Sequence, residues 1–137
     1  MGVEHFPLYA GVVPAVTTGQ MREVDRLMIE VYHIELIQMM ENAGRHLAHL
    51  AKSRFLNADP SNKRVTILAG TGGNGGGALV CARWLQNAGA AVQVYLTAAP
   101  EQLTSVPARQ LAILQAIGIA IQPAEASGSQ PTPDLIV

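Results

Sequence analysis

Residues 65–80 read VTILAGTGGNGGGALV. Val65-Thr66-Ile67-Leu68-Ala69 is a short apolar run rich in β-branched residues, the composition of a buried strand. Six glycines fall in the next eight positions, Gly70-Thr71-Gly72-Gly73-Asn74-Gly75-Gly76-Gly77. After them Val80, Cys81, Trp84 and Leu85 recur at helical spacing, which predicts a helix over residues 78–88 that buries those four and ends at Gly89. A glycine run between a strand and a helix has a physical logic. Missing Cβ atoms let the backbone take positive φ and approach a ligand closely. The following helix offers free N–H groups and a partial positive charge, which suits a phosphate or pyrophosphate. The plainer reading is a tight crossover without a ligand, but a plain turn does not need the entropy loss of so many glycines.

Outward from this stretch the chain alternates. Residues 91–96 predict a second strand, Pro107 opens a helix that lasts to Ile117 and stops at Gly118, and residues 119–121 predict a third strand. A polar, small-residue loop over 123–133 leads to a last strand at 134–137. Strand, helix, strand, helix, strand predicts an α/β fold, a Rossmann-like three-layer α/β/α arrangement with a mostly parallel sheet, whose ligands sit beyond the carboxyl ends of the strands.

Two N-terminal helices precede the sheet. Thr17 and Gln20 have capping-box spacing, and Val24, Leu27, Met28 and Val31 follow at helical spacing. A second helix is predicted over 35–56, with Leu36, Met39, Met40, Ala43, Leu47, Leu50 and Phe55 as its apolar stripe, closed by the polar turn 57–62. Residues 1–16 form an aperiodic arm, so the expected domain covers 17–137.

The 137 residues suit one domain or a part of one, and an apolar fraction of 49% with 14% charged residues suits a globular core. With a net charge of −1 and cations scattered apart from the pair Lys63-Arg64, no basic stripe exists for a nucleic-acid backbone. No apolar run approaches the ~20 residues of a membrane span. The single cysteine, Cys81, forms no internal disulfide, and the opening Met1-Gly2-Val3-Glu4-His5-Phe6-Pro7 does not read as a signal peptide; both fit a cytoplasmic protein.

Two standard nucleotide motifs do not fit. Val94-Tyr95-Leu96-Thr97 carries no carboxylate for a ribose hydroxyl, which disfavours an ordinary nucleotide-dependent oxidoreductase, and no Gly-Lys-Ser/Thr follows the glycines, which excludes a P-loop. Glu41 and Asn42 could brace the glycine run, although capping or solvating a helix face is the commoner role. His46 and His49, spaced i, i+3, could share a metal, but no third ligand stands nearby and a solvated face is the stronger reading. Cys81 and Trp84 read as packing on the buried face of their helix, and Met28, Met39 and Met40 as core filler.

Residues 17–25, then Met40-Glu41-Asn42-Ala43-Gly44, then the glycine run with Leu79-Val80-Cys81-Ala82-Arg83-Trp84-Leu85, resemble in order and spacing the NAD(P)H-hydrate epimerases, the YjeF N-terminal family. The resemblance implies an isomerase that interconverts the R and S epimers of NADHX and NADPHX in nicotinamide nucleotide repair, with a potassium ion as cofactor. In that family residues 70–78 commonly read Gly-Pro-Gly-Asn-Asn-Gly-Gly-Asp-Gly. Its substrate-binding positions fall on Gly73, Asn74, Gly75, Gly76 and Gly77, and Asn74 stands where the family also ligates potassium. Gly73 and Gly77 depart from the pattern, the second by loss of an acid. The family's other potassium ligand and a later nucleotide-contacting acid would lie beyond Val137, so the chain reads as the front part of the domain. The resemblance assigns no catalytic residue here. It further implies a homodimer and, in some members, fusion to an ATP- or ADP-dependent dehydratase. The alternative is a non-catalytic nucleotide-binding or scaffold module of the same fold.

Overall fold

The computed structural model describes residues 10–129 and 131–137, and the chain divides into two compact units, 1–34 and 35–137. In the first unit, helix α1 (Thr18–Glu30) opens on the expected reciprocal cap: the Gln20 N–H donates to Thr17 Oγ1 at 3.2 Å and the Thr17 N–H to Gln20 Oε1 at 2.8 Å. Arg26 bridges Glu23 and Glu30 along its exposed side. Met28, expected in the core, is only half-buried. The arm has no regular structure over 10–17, and its residues 1–9 lie outside the described ones.

The second unit begins with α2 (Leu36–Leu50), which runs into a π-helical turn at Ala51–Phe55. Its buried line is Met40, Gly44, Ala48 and Ala51 rather than the expected stripe of large side chains; Leu36, Leu50 and Phe55 are exposed. The cause is the closeness of the neighbouring helix, which at Gly44 leaves no room for a Cβ beside Val80 and the Gly77 backbone. Asn57 and Ala58, at φ 52° and 60°, then reverse the chain in the left-handed region.

Four strands follow: β1 (Arg64–Ala69), β2 (Ala91–Leu96), β3 (Ala120–Pro123) and β4 (Leu135–Ile136). They form one sheet in the order β3-β2-β1-β4, with every pairing parallel. Ile67 stands beside Val94 and Val65 beside Leu135. Helix α3 (Gly73–Asn87) connects β1 to β2, and α4 (Ser105–Ala116) connects β2 to β3. Gly89 and Gly118, at φ 99° and 78°, end these helices where the sequence places their stops. The alternating residues Val65, Ile67 and Ala69 of β1 and Val92, Val94 and Leu96 of β2 are buried with Leu79, Cys81, Ala82 and Leu85 of α3 and Leu111 and Leu114 of α4. Burying a side chain as fully as Leu79 or Ile67 contributes about 1.5–3 kcal/mol. On the opposite face Leu68 remains 45% exposed, whereas Tyr95 is buried and its hydroxyl has no partner among the described residues.

Successive connections step from β1 to β2 to β3, and the chain then returns to the other side of β1 with β4. The order therefore reverses between β1 and β4, and the crevice at their carboxyl ends is where such sheets seat ligands.

Candidate functional site

The glycine run emerges from β1 beside that crevice. Its helix begins at Gly73, not at residue 78 as the sequence pattern suggests. Gly73, Asn74, Gly75, Gly76 and Gly77 are thus the first turns of α3 rather than a loop before it. The propensity argument counts each glycine against a helix; packing overrides it because two of these positions have no room for a side chain. A Cβ on Gly75 would strike the Gly70 backbone, with the carbonyl carbon 2.6 Å away. A Cβ on Gly76 would lie 2.6 Å from Met40 Cε and 3.1 Å from Pro107 Cγ. The start of α3 is therefore wedged between α2 and α4.

Gly72 is the N-cap and has no side chain to satisfy the first turn; the first bond to it comes from the Gly76 N–H, at 3.0 Å. The N–H groups of Gly73, Asn74 and Gly75 have no protein acceptor among the described residues, which is the usual condition of a first helical turn. Gly73 and Asn74 are exposed while Gly75, Gly76 and Gly77 are buried. No described protein group hydrogen-bonds the Asn74 amide, whose side-chain oxygen is the only one over positions 73–77. Gly77 differs from its neighbours: although the residue is buried, a Cβ there would meet nothing within 4 Å. Position 77, where the resemblance implies an acid, has room for a Cβ.

Two threonines that the sequence does not single out border the run. The Thr104 N–H donates to the Thr71 carbonyl at 3.2 Å, and Thr104 Oγ1 lies 3.4 Å from the same oxygen. The Thr97 N–H donates to Ala69 O at 3.0 Å. These contacts tie the turn to the ends of β2 and α4. The other unnoticed partner is Gly44, whose missing Cβ lets α2 lie against α3; one would stand 2.6 Å from the Gly77 carbonyl oxygen. A glycine inside an otherwise helical run is the signal for such a contact.

Glu41 neither braces the run nor merely solvates a helix face. It accepts from Arg83 Nη2 at 2.5 Å and from Trp84 Nε1 at 2.9 Å, tying α2 to α3 further along. Burial disfavours its charge, but the bonds from Arg83 and Trp84 and the charges of Arg83 and Arg45 outweigh that and hold the carboxyl below its ordinary value. Asn42 accepts from Arg45 on the exposed side. Trp84 departs from the expected buried role, being 38% exposed with its N–H engaged. Cys81 is fully buried, and that burial pushes its thiol up to about 12. His46 and His49 are exposed, and among the described residues no three of His, Cys, Asp and Glu gather into a metal site.

A parallel sheet with an uncapped helix start at its switch point defines a doubly wound α/β domain, the class in which ligands are seated beyond the carboxyl ends of the strands. The family described as YjeF-related protein N-terminus matches residues 36–137, and the chain belongs to that family. It is 44% identical over 106 residues to an NAD(P)H-hydrate epimerase of Dehalogenimonas lykanthroporepellens, an overlap of 77% of this chain and 42% of the relative. It is 38% identical over 128 residues to one of Rhodopirellula baltica, covering 91% and 50% of the two chains. The bifunctional NAD(P)H-hydrate repair enzyme Nnr of Moorella thermoacetica is 40% identical over 103 residues, covering 75% of this chain and 19% of that enzyme. Among solved structures, yeast ynu0, YNL200c, superposes with a TM-score of 0.69 at 26% identity over 84% of this chain and 49% of that one. The chain thus spans half or less of the length of these relatives. No helix among the described residues is long and apolar enough to cross a membrane.

Proposed function

We propose that this chain forms the nucleotide-seating part of an NAD(P)H-hydrate epimerase, which interconverts the R and S epimers of NADHX and NADPHX in nicotinamide nucleotide repair. The observation that carries this reading is the free first turn of α3 at the switch point. Free N–H groups at 73–75 would hold a phosphate of the nucleotide, aided by the positive end of the helix. Gly75 and Gly76 act by being small: they let α3 start flush against β1's outgoing turn and against Met40, so the N–H groups are fixed before the ligand arrives. The epimerase names of the relatives support the substrate class.

Potassium fits one position of this chain. The Asn74 amide oxygen is a neutral, hard donor that is exposed and not engaged by a protein donor. Bound there, the ion would offset the charge of the substrate's phosphates. In this reading the protein works in the cytoplasm as a homodimer, with the domain spanning 17–137; fusion to an ATP- or ADP-dependent dehydratase would agree with relatives named as bifunctional repair enzymes.

The second reading, a non-catalytic nucleotide-binding or scaffold module, rests on one observation: no titratable side chain occurs over residues 70–80. Following the interconversion of R- and S-NADHX by chromatography, with and without potassium, separates the two. Potassium-dependent turnover that falls in Asn74→Ala supports the epimerase; nucleotide binding without turnover supports the module.

A further inference from the structure

A groove of about 560 Å³ runs between the later turns of α2 and α3, away from the glycine run. From Asn74 to Trp84 is ten residues of α3, about 15 Å of helix. One wall, from α2 and its π-helical turn, carries Arg45, His46, His49 and Lys52. The other, from α3, carries Trp84, Leu85 and Asn87. Among the described residues no carboxylate lines it, although the chain as a whole has net charge −1. Two acids that act on groove residues are already engaged: Glu41 by Arg83 and Trp84, and Asp59, which feels Lys52, by Ser61. The indole is held in place, with its N–H on Glu41 and the Arg83 guanidinium 6.0 Å from the ring centroid. The π-helical turn places Lys52 at the end of this wall, and such turns recur at ligand sites.

We propose that this groove is a second ligand site, for a mononucleotide. Its base would lie against Trp84, and its phosphate would be taken by Arg45 and Lys52 with His46 and His49 as further hydrogen-bonding groups. The size falls within the ~300–1,000 Å³ of small-molecule sites. A planar aromatic ring on a fixed indole and an anion on a guanidinium are the contacts these walls offer. The proposal does not depend on the epimerase reading, because it uses no residue of the glycine run.

Trp84 is the chain's single tryptophan, so its fluorescence reports the groove directly. AMP titrated into the 137-residue protein is expected to change that emission saturably below about 1 mM, with adenosine and inorganic phosphate each binding at least about tenfold more weakly. Arg45→Ala with Lys52→Ala should weaken AMP about tenfold or more while the far-UV circular dichroism stays unchanged. Asn74→Ala, at the glycine run, should leave this affinity within about twofold. As a measurement that needs no variant, raising salt from about 50 to 200 mM should weaken AMP several-fold by screening. The proposal is overturned if AMP up to about 10 mM leaves Trp84 unchanged, or if binding is insensitive both to salt and to the paired substitution. It is also overturned if Asn74→Ala abolishes the signal, which would place AMP at the glycine run, or if polyglutamate binds more tightly than AMP, which would make this a protein-docking face.

Discussion

The carbonyl oxygen of Gly77 lies 2.6 Å from the point a Cβ on Gly44 would occupy. Two glycines far apart in sequence thereby set how closely α2 approaches the helix that begins the candidate site. Gly44→Ala gains helix propensity of up to about 1 kcal/mol, but the overpacking costs more. A net loss of about 1–3 kcal/mol, seen as a fall in Tm of roughly 5–15 °C, is expected. An unchanged Tm would show that α2 can move away at no cost.

Gly73 and Gly75 should respond in opposite ways to the same substitution. A Cβ on Gly73 meets nothing within 4 Å, whereas one on Gly75 meets the Gly70 backbone, which cannot rotate away. Gly73→Ala should therefore stabilise by up to about 1 kcal/mol through the unfolded chain. Gly75→Ala should destabilise by about 2 kcal/mol or more. Urea denaturation of the two variants under identical conditions reads both values.

Gly77 has the open space that its neighbours lack. Gly77→Asp should fold with near-native stability, and in the epimerase reading it should raise turnover of NADHX about 10²-fold, the usual worth of one charged group in a preorganised site. Chromatographic assay of the R and S epimers is the measurement. A folded variant with no gain in rate removes this position from the catalytic account.

The Glu41 carboxyl, held low by Arg83 and Trp84, makes stability depend on pH. A depressed folded-state value contributes stability that is complete above the ordinary value of 4.5 and is lost as pH falls through the folded value. Because the side chain is partly exposed, the contribution is about 0.5–1 kcal/mol after screening. Glu41→Gln should lower Tm at neutral pH and flatten the acid limb of the stability profile. An identical acid limb in the variant would assign that slope to other carboxylates.

Cys81 should be inert in the folded protein, since burial keeps its thiol protonated well above neutral pH. A thiol-reactive disulfide reagent should label it only after denaturation. Rapid labelling of the native chain would reveal local opening of α3.

The strands and helix stops were legible in sequence because their signals are local: β-branched runs at β1 and β2, and Gly89 and Gly118 where positive φ is needed. The reversal of strand order at β1 was expected only as a fold class, since the partner of β1 at 135–136 depends on packing across the whole unit. The start of α3 was misplaced by five residues because glycine propensity argues for a loop, while the close contacts of Gly75 and Gly76 that reward a helix involve residues distant in sequence. Large apolar side chains drew the expected stripe of α2 away from its real contact line of Met40, Gly44, Ala48 and Ala51. The exposure of Trp84 has a related cause: its one polar atom finds Glu41 on another helix, which no spacing within α3 reveals.

The pairing of Val65 with Leu135 has a consequence for synthesis of the chain. β1, α3 and β2 are all synthesised once residue 96 has left the ribosome, but the other edge of β1 must wait for residues 135–136. Throughout that interval a central strand presents unpaired N–H and C=O groups, a template for pairing with a neighbouring nascent chain.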